Sequence, residues 1–157
     1  MKQRSRKEKF YVEVGQAMLM NDARCLINVE TLVVEVHAPA RFFELTEKED
    51  TAQEFLNYPE KFFVLSEMNL SQSLKVMEVF TLALKDKNLQ KKLIQALEGK
   101  KPTANWTSII NNSSLRQNWF DFREDGYAEI AKEWLEKNAD KELKEKIQAL
   151  PAVFLVE

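Results

Sequence analysis

From Leu115 to Leu135 the chain places apolar and aromatic side chains at helical spacing, and this run constrains the fold more than any other segment. At about 100° per residue, Leu115, Trp119, Phe120, Phe122, Gly126, Tyr127, Ile130 and Trp134 share one broad arc, with Asn118, Asp121, Asp125, Glu129, Lys132 and Glu136 opposite. An arc that wide predicts a helix covered by several neighbours, the central helix of a globular protein. Ser114 and Gln117 read as a capping box at its start, and the periodicity continues to about Lys137. Gly126, in the middle, costs about 0.8–1 kcal/mol relative to Ala. Close approach of another backbone is the expected compensation.

Upstream, the period shifts from helical to alternating. Val14, Ala17 and Met18 suit a short amphipathic helix ending near Asn21, preceded by a basic arm over residues 1–9. Ala23 to Val29 and Thr31 to Ala38 read as two strands of a hairpin, with Cys25, Ile27 and Val29 alternating on the first strand and Leu32, Val34 and Val36 on the second to make its apolar face; Phe62 to Leu65 can add a third strand. Two strands alone are marginal in water, so helices must cover them. From Asn69 the spacing is helical again. Asn69 or Ser71 can cap a helix carrying Leu74, Met77, Phe80 and Leu84. A second helix opens at Asn88 and stops at Gly99, with Pro102 just beyond. A short third holds Trp106, Ile109 and Ile110, and Asp140 can cap a last one containing Leu143 and Ile147; Val153 to Val156 is expected to be extended. The expected fold is α+β: a small N-terminal antiparallel β element packed by about five helices, mainly helical over the last two-thirds, with a flexible basic arm at 1–9 and a single domain over 10–157.

Composition removes several functions. One cysteine, Cys25, cannot close an internal disulfide, and one histidine, His37, cannot complete a zinc site of Cys and His ligands, so no metal or cofactor is expected and a reducing cytoplasm fits best. Three scattered glycines cannot write a phosphate-cradling loop. No apolar run approaches the ~18 residues of a membrane span, and the basic start is not followed by an export segment, so a cytoplasmic protein without a membrane partner is expected. His37 falls off the apolar face of its strand and reads as solvated. Cys25 shares a face with Ile27 and reads as a buried, inert thiol. Clustered carboxylates such as Asp121, Glu124 and Asp125 or Glu129 and Glu133 read as solvated, charge-balanced faces, which makes a carboxylate-based hydrolase the weakest of three functions.

Two candidate sites remain. Arg116 and Arg123 fall within the apolar arc of the central helix beside Trp119, Tyr127 and Trp134. Guanidiniums there can stack on rings and offer donors to an anion or a partner, or form structural ion pairs with Glu44, Glu47 or Glu49, the commoner outcome. The second is basic: Lys85, Lys87, Lys91, Lys92, Lys100 and Lys101 outnumber Asp86 and Glu98 and precede Trp106, which can grip phosphate and stack a base. The net charge of −2 gives no global pull on a polyanion, so any nucleic-acid contact would be local. Abundant aromatics without a catalytic set favour a non-catalytic interaction or regulatory module, with a protein partner or self-association, over a nucleic-acid-associated regulator.

The stretch from Phe80 to Asn138 resembles the bacterial uncharacterised protein family 0158, through Phe80-Thr-Leu-Ala-Leu84, Leu97-Glu-Gly-Lys-Lys-Pro102, Leu115-Arg-Gln-Asn-Trp-Phe-Asp-Phe122 and Glu133-Trp-Leu-Glu136. The N-terminal helix and hairpin are similar in layout. The chain departs after Pro102, where the family favours an aromatic and Thr103 stands here, with Trp106 close by to supply bulk. The resemblance implies no activity and no catalytic residues.

Overall fold

The computed structural model describes residues 3–20, 23–37 and 57–152. It is an α+β protein with a three-stranded antiparallel sheet near its N-terminus and six α-helices among the described residues. Glu44, Glu47, Glu49 and the tail Val153 to Val156 lie outside those residues. Contacts divide the chain into two compact units, one of Gln3–Met68 with the stretch from Ala128 onward, the other of Asn69–Tyr127.

The first unit carries the sheet. Helix α1 (Arg6–Met18) starts where the Ser5 hydroxyl accepts the Glu8 N–H at 3.1 Å. Arg6, Lys7 and Lys9, expected in a flexible arm, therefore belong to a capped helix, and the Lys7 N–H donates to the Pro151 carbonyl at 3.0 Å. Strands β1 (Arg24–Asn28), β2 (Val34–His37) and β3 (Phe62–Val64) follow in the order β2-β1-β3. Pairing Cys25 with Val36 and Ile27 with both Val34 and Phe63 sets those side chains on one face. There the Cys25 thiol donates to the Ala17 carbonyl at 3.3 Å, and the Phe63 ring lies 5.6 Å from that of Trp134. Leu26, on the other face, is fully buried too. The central strand is thus covered on both sides, where simple alternation expects one. The same covering corrects His37: it is 5% exposed, not solvated.

The hairpin is shorter than the alternation suggests. Asn28 Oδ1 accepts the N–H groups of Glu30 and Thr31 at 2.9 and 3.2 Å, and the Leu32 N–H returns to the Asn28 carbonyl at 2.7 Å. This closes a loop in which Leu32 takes φ 61°. Leu32 is consequently a turn residue in the left-handed region and not part of a strand face.

The second unit opens with two helices joined by a four-residue connection, α2 (Leu70–Leu82) and α3 (Lys87–Glu98), an antiparallel hairpin. Asn69 and Gln72 form a reciprocal capping box on α2, and Asp86 caps α3. Leu84 lies beyond the end of α2. Gly99 ends α3 with φ −84°, so it stops the helix without a left-handed cap. Pro102 then begins α4 (Pro102–Asn111), where a missing N–H costs nothing. The long helix α5 spans Arg116–Asn138. It begins after the expected capping box, since Ser114 lies in a turn and the neighbouring Ser113 hydroxyl accepts the Leu115 N–H at 3.2 Å. Its residues from Ala128 belong to the sheet-bearing unit, as does α6 (Lys141–Gln148), capped by Asp140, whose Lys146 ammonium donates to the Val29 carbonyl at 2.7 Å.

Candidate interaction surface

The hairpin unit packs around rings. Trp106 is 0% exposed; its indole N–H donates to the Thr81 hydroxyl at 2.9 Å, which donates to the Met77 carbonyl at 2.7 Å. Trp119 sits edge-on to Trp106 with centroids 4.5 Å apart, and Phe80 meets Trp119 and Phe122, each at 5.3 Å. A Cβ at Gly126 would stand 2.8 Å from Val76 Cγ1. The close approach at this glycine is therefore made by a side chain of α2 rather than by a backbone.

This core redistributes the residues expected around one arginine pocket. Trp119 and Tyr127 are buried, the first within the ring cluster. Arg116 is exposed and Arg123 half-buried, and both guanidiniums lie over the ring of Phe120, at 5.2 and 4.5 Å from its centroid. Among the described residues neither takes an ion-pair partner. Burial pushes the Tyr127 hydroxyl above its ordinary pKa of 10.0, opposed by the positive charge of Arg123. Trp134 belongs to the sheet-bearing unit and packs on Phe63. The sequence periodicity placed two arginines on a buried arc; the structure leaves one of them in solvent, because a helix with several neighbours has several buried faces and gaps between them.

The lysine cluster fares differently in its two parts. Lys85, Lys87, Lys91, Lys92, Lys100 and Lys101 are all exposed. Trp106 cannot stack a base, since its ring is enclosed and its N–H is committed to Thr81. Among the described residues no three His, Cys, Asp and Glu side chains come together to hold a metal ion, and no helix is long and apolar enough to cross a membrane. Burial, then the nearby Glu67 charge, pushes the Cys25 thiol upward, away from nucleophilic chemistry.

What the periodicity did not reveal is a cleft between α2 and α3. Leu74, Glu78, Thr81 and Leu82 of α2 and Ile94, Leu97 and Glu98 of α3 line a space of about 350 Å³. Helix α2 also shows Leu70 at 63%, Val79 at 48% and Leu82 at 60% exposure. A second depression of about 500 Å³, lined by Leu70, Ser71, Leu74, Lys75 and Glu78, continues along the same helix. The only signal in the sequence was the excess of aliphatic residues on a helix whose core stripe was already supplied by Val76, Met77 and Phe80.

A helical hairpin with an apolar, acid-flanked outer face, in an α+β protein, defines the class. The chain belongs to an uncharacterised protein family, UPF0158, whose model matches residues 25–153. Neither a curated protein nor a solved structure matches it.

Proposed function

We propose that the chain is a non-catalytic interaction module of the cytoplasm, with the outer face of the α2–α3 hairpin as its working surface and a protein as its partner. The observation that carries this is the concentration of exposed apolar side chains. Exposed Leu82 lines the cleft of leucine and isoleucine between α2 and α3, and exposed Leu70 lines the depression that continues from it past Leu74, whereas scattered single exposures would need no explanation. Two carboxylates, Glu78 and Glu98, also line the cleft, the least a carboxylate-based hydrolase would require, but aliphatic side chains make up most of the remaining lining.

Cross-linking mass spectrometry on the full chain in native extract tests the role. Cross-links from Lys75, Lys87 and Lys91 to protein are expected, and the double substitution Leu70→Glu with Leu82→Glu should abolish them while leaving the melting temperature nearly unchanged. Unaltered cross-links in that variant would remove the hairpin face as the interaction surface. The six exposed lysines favour one other partner, a polyanion. Retention on single-stranded RNA that weakens steeply with salt, and is lost when Lys91 and Lys92 become Gln, would transfer the role to them.

A further inference from the structure

Resting on that interaction role, we propose that the occupant of the hairpin face is a second copy of the same chain, docked antiparallel about a two-fold axis. On α2, Ser71, Lys75, Glu78 and Leu82 succeed one another at spacings of four, three and four and are all exposed. On α3, Lys87, Lys91, Ile94 and Glu98 repeat that spacing. Such a spacing is a straight stripe along a helix, the geometry by which one helix lies on another. The two stripes open on one side of the hairpin, because Glu78 and Leu82 of the first and Ile94 and Glu98 of the second line one cleft.

The charges on these stripes are ordered. Lys75 and Glu78 flank the middle of α2, and Lys87 and Glu98 bracket α3. When a helix pairs with its own antiparallel copy, Lys75 of each faces Glu78 of the other, and Lys87 of each faces Glu98. Both pairs can form about a single axis. The midpoint of each lies eight residues from the centre of the connection between Leu84 and Lys85, so in an antiparallel hairpin the two midpoints stand at one height. Two-fold symmetry makes every such contact twice, giving four ion pairs around the aliphatic groups Leu74, Leu82 and Ile94. Parallel docking would instead oppose like charges. A partner of uniform charge would meet both signs on this face; only a partner carrying the inverse order, which the chain itself carries when reversed, meets each with its opposite.

Sedimentation velocity on the full chain decides the matter through a charge swap. Wild type should sediment as a dimer. Lys75→Glu with Lys87→Glu makes the charged positions of both stripes acidic apart from Lys91, and Glu78→Lys with Glu98→Lys makes them wholly basic. Each variant alone should dissociate, its dissociation constant weakened on the order of 30-fold as four exposed pairs are lost, and an equimolar mixture should reassemble as a heterodimer. A wild type that stays monomeric at high concentration, variants that dimerise like wild type, or two folded variants that remain monomeric when mixed would each overturn the proposal. Should a reversal variant fail to fold, Lys75→Gln with Lys87→Gln must still weaken the dimer several-fold. A monomeric wild type whose cross-links to a different protein vanish on Leu70→Glu with Leu82→Glu refutes the second copy and leaves the interaction role standing. Cross-links unaffected by that variant end both.

Discussion

Gly126 is the position where helix propensity and packing pull in opposite directions, and Gly126→Ala measures which prevails. The new methyl would lie 2.8 Å from Val76 Cγ1 and 3.3 Å from Cγ2, where carbon atoms prefer about 3.5–4.0 Å. Val76 cannot easily turn aside, because a β-branched side chain in a helix holds one strongly preferred rotamer. The α2 and α5 backbones must therefore part by roughly 0.7 Å locally, an overpacking that costs about 1–3 kcal/mol. Gaining alanine's helix propensity returns about 1 kcal/mol. The expected outcome is a net loss of about 1 kcal/mol, a fall in melting temperature of roughly 2–4 °C for a chain of this length. Val76→Ala alone, removing two buried methyls, should cost about 2 kcal/mol. Combining the two lets the new methyl occupy the vacated space, so urea unfolding of the double variant should show at least about 1 kcal/mol less destabilisation than the sum. If Gly126→Ala instead stabilises by about 1 kcal/mol and the pair is additive, Val76 yields freely and the close-packing argument is wrong.

Thr81→Val should destabilise by about 1–3 kcal/mol in chemical denaturation, since it orphans the buried Trp106 N–H while preserving shape; a neutral substitution would mean that the indole finds another acceptor. Leu32→Gly should raise stability by about 0.5 kcal/mol, because it relieves a left-handed backbone at more than the entropic cost of glycine; thermal unfolding reads the sign. Burial raises the pKa values of Cys25, Tyr11 and Tyr127, so the folded state favours their neutral forms. Their stabilisation is complete below the ordinary values of 9.0 and 10.0 and is lost as pH rises through the folded-state values. The melting temperature should accordingly hold through neutral pH and fall above about pH 9, with Cys25→Ala removing the earliest part of the decline. Alkylation of Cys25 by iodoacetamide at neutral pH should be slow until the chain unfolds, as its thiol is buried and protonated.

What the sequence determined by itself was local. Helix existence, the caps at Asn69 and Asp140, a hairpin whose strands lie within Ala23–Val29 and Thr31–Ala38, and the third strand near Phe62 all follow from interactions within a few residues or from the alternation of apolar side chains. The family was legible for the same reason, since its signature lies in contiguous runs such as Leu115 to Phe122. Tertiary structure alone decided which faces are covered. A period of 3.6 names the residues that share a side of a helix but not the neighbour, if any, that meets them. Trp119 therefore joins Trp106 and Phe80 while Trp134, farther along the same helix, packs on Phe63. His37 is buried at a strand end that alternation left in solvent, Trp106 is enclosed where a nearby lysine cluster suggested a stacking surface, and Leu74 borders an open cleft where its spacing suggested ordinary core. Burial is a property of pairs of surfaces, and a linear chain records only one member of each pair.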